Sequence, residues 1–119
     1  MSTVVELKNQ WFAVCEQSAL VHDAGVCALV NDEQVAIFHL EKSDEKVFAV
    51  SNFCPIGKAN VISRGILGSV ANEPVVASPL YKQQFSLKNG RCFQEEAELK
   101  TYPVRIEDGV VQVMTQVMV

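Results

Sequence analysis

Apolar residues come in short runs separated by polar and glycine-containing segments, and no capped stretch sustains a three-to-four-residue apolar period over ten or more positions. This pattern predicts an all-β protein. Strands are expected at Trp11 to Cys15, Val26 to Val30, Val35 to His39, Val47 to Ser51, Val75 to Ser78, Gln84 to Leu87, Tyr102 to Ile106 and Val110 to Met114. They are rich in Val, Ile and Phe, whose branched or flat side chains suit a pleated surface.

The connections carry turn formers. Asn31-Asp32-Glu33-Gln34, Lys88-Asn89-Gly90-Arg91 and Glu107-Asp108-Gly109 lie between apolar runs, and the last two hold the Asn-Gly and Asp-Gly pairs of tight hairpins. Antiparallel pairing follows, in a sandwich or small barrel whose edges are closed or covered. The longest stretch without strand character runs from Asn52 to Asn72; such loops either carry function or simply span two sheets.

Composition narrows the function classes. With 119 residues, 49% apolar and 20% charged, the chain has room for one globular domain, 1–119, with its core in about residues 11–114. A net charge of -4 argues against nucleic acid or an anionic membrane as partner, since both require a basic face. The beginning Met1-Ser2-Thr3-Val4-Val5-Glu6-Leu7-Lys8 has no signal-peptide pattern, and no apolar run approaches a membrane span, so a cytoplasmic location is expected. Cys15, Cys27, Cys54 and Cys92 form no C-x-x-C pair and read as free thiols. His22 and His39 lack the close spacing of a zinc site.

Two segments carry the functional argument: Asn52-Phe53-Cys54-Pro55-Ile56-Gly57, and, starting 24 residues after Cys54, Ser78-Pro79-Leu80-Tyr81-Lys82-Gln83-Gln84-Phe85-Ser86-Leu87-Lys88-Asn89-Gly90. Together they resemble the paired cluster-binding loops of Rieske domains, in which a cysteine and a histidine from each loop grip a two-iron cluster. The resemblance implies a Rieske-like antiparallel β-sandwich with two loops at one end. It also places Cys54 at the first cysteine, Ile56 at the first histidine, Ser78 at the second cysteine and Tyr81 at the second histidine. Only Cys54 keeps its ligand type, so no metal and no cofactor are expected on this chain.

Several further stretches resemble the Rieske-like small subunits of NADH-dependent nitrite reductase: Gly25-Val26-Cys27-Ala28-Leu29, Glu33-Gln34-Val35-Ala36-Ile37-Phe38, Ser63-Arg64-Gly65, Val76-Ala77-Ser78-Pro79-Leu80 and Val104-Arg105-Ile106-Glu107-Asp108-Gly109-Val110-Val111. That resemblance implies a partner, the large subunit of nitrite reductase, which carries a flavin, a siroheme and an iron–sulfur cluster and reduces nitrite to ammonia. The small chain would support that enzyme and hold no catalytic residue. Pro55, Ile56, Pro79, Leu80 and Tyr81 are the residues expected to meet the partner. A Rieske-type ferredoxin carrying electrons to an oxygenase, or a standalone protein-binding domain, are the other readings.

Other chemistry has less support. There is no G-x-S-x-G elbow, no base close to Ser78, and no Walker-type or dinucleotide glycine motif. Gly65-Ile66-Leu67-Gly68 reads as a structural turn rather than a nucleic-acid loop. Cys54 reads as a small residue packed under its loop rather than a reactive thiol. Lys58, Arg64 and Lys82 are either a basic docking patch at the loop tips or scattered solvated charges.

Overall fold

The computed structural model describes residues 7–21, 23–40, 47–80 and 82–118, and these contain no α-helix. The strands are β1 (Leu7–Glu16), β2 (Gly25–Val30), β3 (Glu33–His39), β4 (Val47–Ser51), β5 (Phe53–Cys54), β6 (Ala59–Asn60), β7 (Ile66–Val70), β8 (Glu73–Ala77), β9 (Gln84–Ser86), β10 (Thr101–Tyr102), β11 (Val104–Glu107) and β12 (Val110–Met118). Short 3-10 turns occupy Gln17–Ala19 and Ile62–Arg64. Among the described residues no helix is long and apolar enough to cross a membrane.

The strands pair antiparallel into sheets ordered β1-β12-β11, β10-β4-β3-β2, β5-β6 and β7-β8-β9. The four-stranded sheet is the middle layer. Along β3, Val35 and Ile37 enter one core with Ala49, Tyr102, Val111 and Val113, while Ala36 and Phe38 enter the other with Phe48, Val50, Val76 and Phe85. Successive side chains of a strand point to opposite faces, so a strand buried on both sides must be apolar at every position. The uninterrupted Val35-Ala36-Ile37-Phe38 follows from that requirement. Both cores are chiefly aliphatic and aromatic clusters, and among the described residues the ladders leave the sheets open rather than closing a barrel.

Several sequence expectations are corrected. The supposed loop from Asn52 to Asn72 contains β5, β6 and all of β7. Gly68 and Ser69 hide β7 because they break its apolar run, and the β7–β8 hairpin turns through Ala71 and Asn72, both left-handed (φ 50° and 67°). Alanine is not a turn signal, whereas Asn31-Asp32 and Asp108-Gly109 take the same two-residue left-handed form where the sequence does signal it. The single strand expected over Tyr102 to Ile106 is split at Pro103, with β10 joining the middle sheet and β11 the outer one. Lys88 to Arg91 is not a two-residue hairpin. β9 ends at Ser86 and a longer turn is closed by Gly90 N–H donating to the Ser86 carbonyl at 2.8 Å. Ser78 lies just beyond β8, which ends at Ala77.

Candidate functional site

Asn52, buried at the end of β4, anchors the first loop. Its Oδ1 accepts the Ser63 amide at 2.7 Å, its Nδ2 donates to Gln34 Oε1 at 3.0 Å and lies 3.6 Å from Cys27 Sγ. Its backbone amide donates to the Gln34 carbonyl at 3.0 Å and its carbonyl accepts the Ile62 amide at 3.1 Å. One side chain and its peptide groups thus tie β3, the first loop and the 3-10 turn Ile62–Arg64 together.

From there the two loops are built alike. In the first, β5 and β6 form a minimal hairpin, and the Lys58 amide donates to the Cys54 carbonyl at 2.8 Å. In the second, the Lys82 amide donates to the Ser78 carbonyl, also at 2.8 Å. Lys58 and Lys82 share the left-handed conformation, φ 57° and 60°. In each turn the side chain of the first residue accepts an amide from within it: Gly57 N–H to Cys54 Sγ at 3.3 Å, and Leu80 N–H to Ser78 Oγ at 3.4 Å. The first loop from Cys54 to Lys58 and the second from Ser78 to Lys82 are therefore twin turns, each closed by its own backbone bond.

The turns touch. A methyl group placed on Gly57 would lie 2.5 Å from Leu80 Cδ1 and 3.6 Å from Cys54 Sγ, so Leu80 packs over the first turn. Cys54 is fully buried, Ser78 nearly so, and Ile56 is half-buried against the core that holds Phe85. Pro79 and Leu80 are exposed, Leu80 by 46%, and Pro55 is half-buried. Phe53, 42% exposed and pointing away from the buried Cys54, joins the accessible apolar residues at this end. Its exposure is legible only once β5 is seen as a strand, with Phe53 and Cys54 on opposite faces. Tyr81 and His22 lie outside the described residues.

The family's two-iron cluster can be tested against this donor set. Each iron requires two protein ligands. Ile56 offers no donor atom, which leaves Cys54 as the single thiol of the first loop, and Ser78 brings a hydroxyl where the second loop would need a thiolate. The residues present do not fit the cluster. Among the described residues no group of three His, Cys, Asp or Glu side chains is arranged to hold a metal ion. Lys58, Arg64 and Lys82 are all exposed, the two lysines at matching places in the twin turns. Away from the turns, burial pushes the Cys15 thiol up, and burial followed by the Glu33 carboxylate raises the Tyr102 phenol.

Residues 10–114 match the family described as Rieske-like [2Fe-2S] domain. The chain is 46% identical over 105 residues to the NADH nitrite reductase small subunit of Escherichia coli K12, covering 87% of this chain and 96% of that one. The solution structure of the Escherichia coli protein NirD superposes with a TM-score of 0.82 at 44% identity, covering 91% and 98% of the two chains. A segment of the Klebsiella oxytoca NAD(P)H nitrite reductase large subunit is 40% identical over 107 residues, 89% of this chain but 11% of that longer one. This chain belongs to the Rieske-like [2Fe-2S] domain family, in its branch of NADH nitrite reductase small subunits.

Proposed function

We propose that this chain is the small, cluster-free subunit of a cytoplasmic NADH-dependent nitrite reductase and works by docking on the large subunit. The observation that carries this reading is the likeness to a small subunit over nearly the full length of both chains. The Klebsiella oxytoca large subunit, which holds a similar segment within its own chain, supports a lasting attachment between the two parts. Flavin, siroheme and an iron–sulfur cluster belong, in this reading, to the large subunit, where NADH reduces nitrite to ammonia. Pro55, Ile56, Pro79, Leu80 and Tyr81 at the twin turns would form the contact, with Phe53 beside them. A ferredoxin role would require the cluster for which Ile56, Ser78 and Tyr81 supply no matching ligands.

The test is reconstitution. The cognate large subunit is assayed for NADH-dependent nitrite consumption with and without this chain, and complex formation is followed by co-purification. Co-purification with raised activity is the expected result; failure to bind, together with unchanged activity, would remove the reading.

A further inference from the structure

Among the described residues the sheet β7-β8-β9 has an unpaired edge at β7, and the edge is chemically unusual. Natural proteins blunt exposed strand edges with charged residues, proline or a covering segment. β7 reads Ile66-Leu67-Gly68-Ser69-Val70, with no charge and no proline. In the β7–β8 ladder, the pair Val70–Glu73 flanks the two-residue turn and is hydrogen-bonded, so Gly68–Val75 and Ile66–Ala77 are too, while Leu67–Val76 and Ser69–Pro74 are the intervening wide pairs. Proline at 74 agrees with this, because a wide pair asks nothing of its missing amide. The backbone amides and carbonyls of Leu67 and Ser69 consequently point away from β8, and among the described residues no backbone hydrogen bond reaches them.

Leu67 and Ser69 are among the residues lining a cleft of about 870 Å³. Ile66 to Ser69 form one wall; the start of β2 at Gly25 and the turn Ser63–Gly65 line it as well. That surround is closely packed: a methyl on Gly25 would meet the Ser63 carbonyl oxygen at 2.3 Å and one on Gly65 the Ala77 carbonyl oxygen at 2.6 Å. On the face beside the edge, Ile66 is 71% exposed, and Gly68 leaves a gap between Ile66 and Val70. Ile66 pairs with Ala77, directly before Ser78-Pro79-Leu80, so the edge begins at the twin-turn end.

We propose that an extended segment of the large subunit adds as a strand to β7, with uncharged side chains at alternate positions over Ile66 and into the gap at Gly68. This rests on the subunit reading above. Edge addition uses main-chain hydrogen bonds for affinity and alternate side chains for selectivity, and β7 offers both. Continuity with the twin turns favours the same partner.

The test uses Ser69→Pro, which deletes one outward amide at a wide pair and leaves the β7–β8 ladder intact, with Ser69→Ala as the control that keeps the amide. Binding of the cognate large subunit should weaken about tenfold or more for Ser69→Pro and stay unchanged for Ser69→Ala. Independently of any variant, hydrogen exchange on the unmodified chain should show the Leu67 and Ser69 amides becoming protected when the large subunit is added. Full binding by folded Ser69→Pro, or no new protection at these amides in a complex that forms, overturns the edge proposal and leaves the subunit reading standing. Protection that appears without the large subunit, together with a doubled mass, assigns the edge to a second copy and also overturns it. No binding by the unmodified chain defeats the subunit reading itself.

Discussion

At Asn52 one buried side chain reaches three segments, so the loop end depends on single residues as well as on sheets. Phe85 is its apolar counterpart. Fully buried in β9 and in the core shared with Cys54, Ile56 and Ile62, it anchors the second turn from beneath. Phe85→Ala should destabilise the fold by about 3 to 5 kcal/mol, the usual range for a buried phenylalanine. Urea denaturation measures this, and a loss below about 1 kcal/mol would mean the ring is not core. Tyr102 makes a pH prediction. It is buried beside Glu33, which pairs with Lys100 at 3.0 Å, and burial first, then the Glu33 charge and hydrogen bond, hold its pKa above the ordinary phenol range. The neutral phenol is therefore favoured more in the folded than in the unfolded chain. Its stabilising share is complete below the unfolded value of about 10 and is lost as pH rises towards the folded one. The urea midpoint should fall between about pH 8 and about pH 11, and fall less in Tyr102→Phe; equal falls would exclude this origin.

At the scale of elements, the twin turns hold their own shape. Each is closed by an amide-to-carbonyl bond and stabilised by one side-chain acceptor, Cys54 Sγ or Ser78 Oγ, so neither needs a bridging ion to keep its shape. The β7–β8 hairpin is less well matched to its sequence. Ala71 is held at φ 50°, a conformation that strains a β-carbon and that asparagine tolerates better. Ala71→Asn should stabilise the protein by about 0.5 to 1 kcal/mol in equilibrium unfolding. A less stable variant would count against the left-handed turn. Pro103 works by omission: lacking an amide donor, it divides β10 from β11 and lets consecutive residues serve two sheets.

For the whole molecule, the twin turns gather accessible apolar side chains at one end of a protein with a net charge of -4, and exposed Lys58 and Lys82 stand there at matching positions. Leu80→Asp combined with Tyr81→Asp should weaken association with the large subunit by several kcal/mol if the pair lies at the buried centre of the contact, because it would strand unpaired charges there. Circular dichroism should stay unchanged, since Leu80 is 46% exposed in the free chain. Undiminished co-purification would move the contact elsewhere. The ligand positions also predict a colourless, iron-free protein; absorbance between about 400 and 600 nm with near-stoichiometric iron would contradict the donor argument.

What the sequence determined by itself was local: the β class, the hairpins at Asn31-Asp32 and Asp108-Gly109, and the two loops with their proline. Period-two patterning and glycine and asparagine turns act within a few residues, so they can be read along the chain. The tertiary structure decided the rest. β7 escaped notice because Gly68 and Ser69 interrupt its apolar run and because its turn uses Ala71, whose left-handed backbone is imposed by the pairing of β7 with β8. The burial of β3 on both faces, the exposure of Phe53 opposite Cys54, the contact of Leu80 with Gly57 and the cleft beside β7 each join residues far apart in the chain. Such relations arise only when sheets pack, because burial and edge pairing belong to neighbours in space, not to neighbours in sequence.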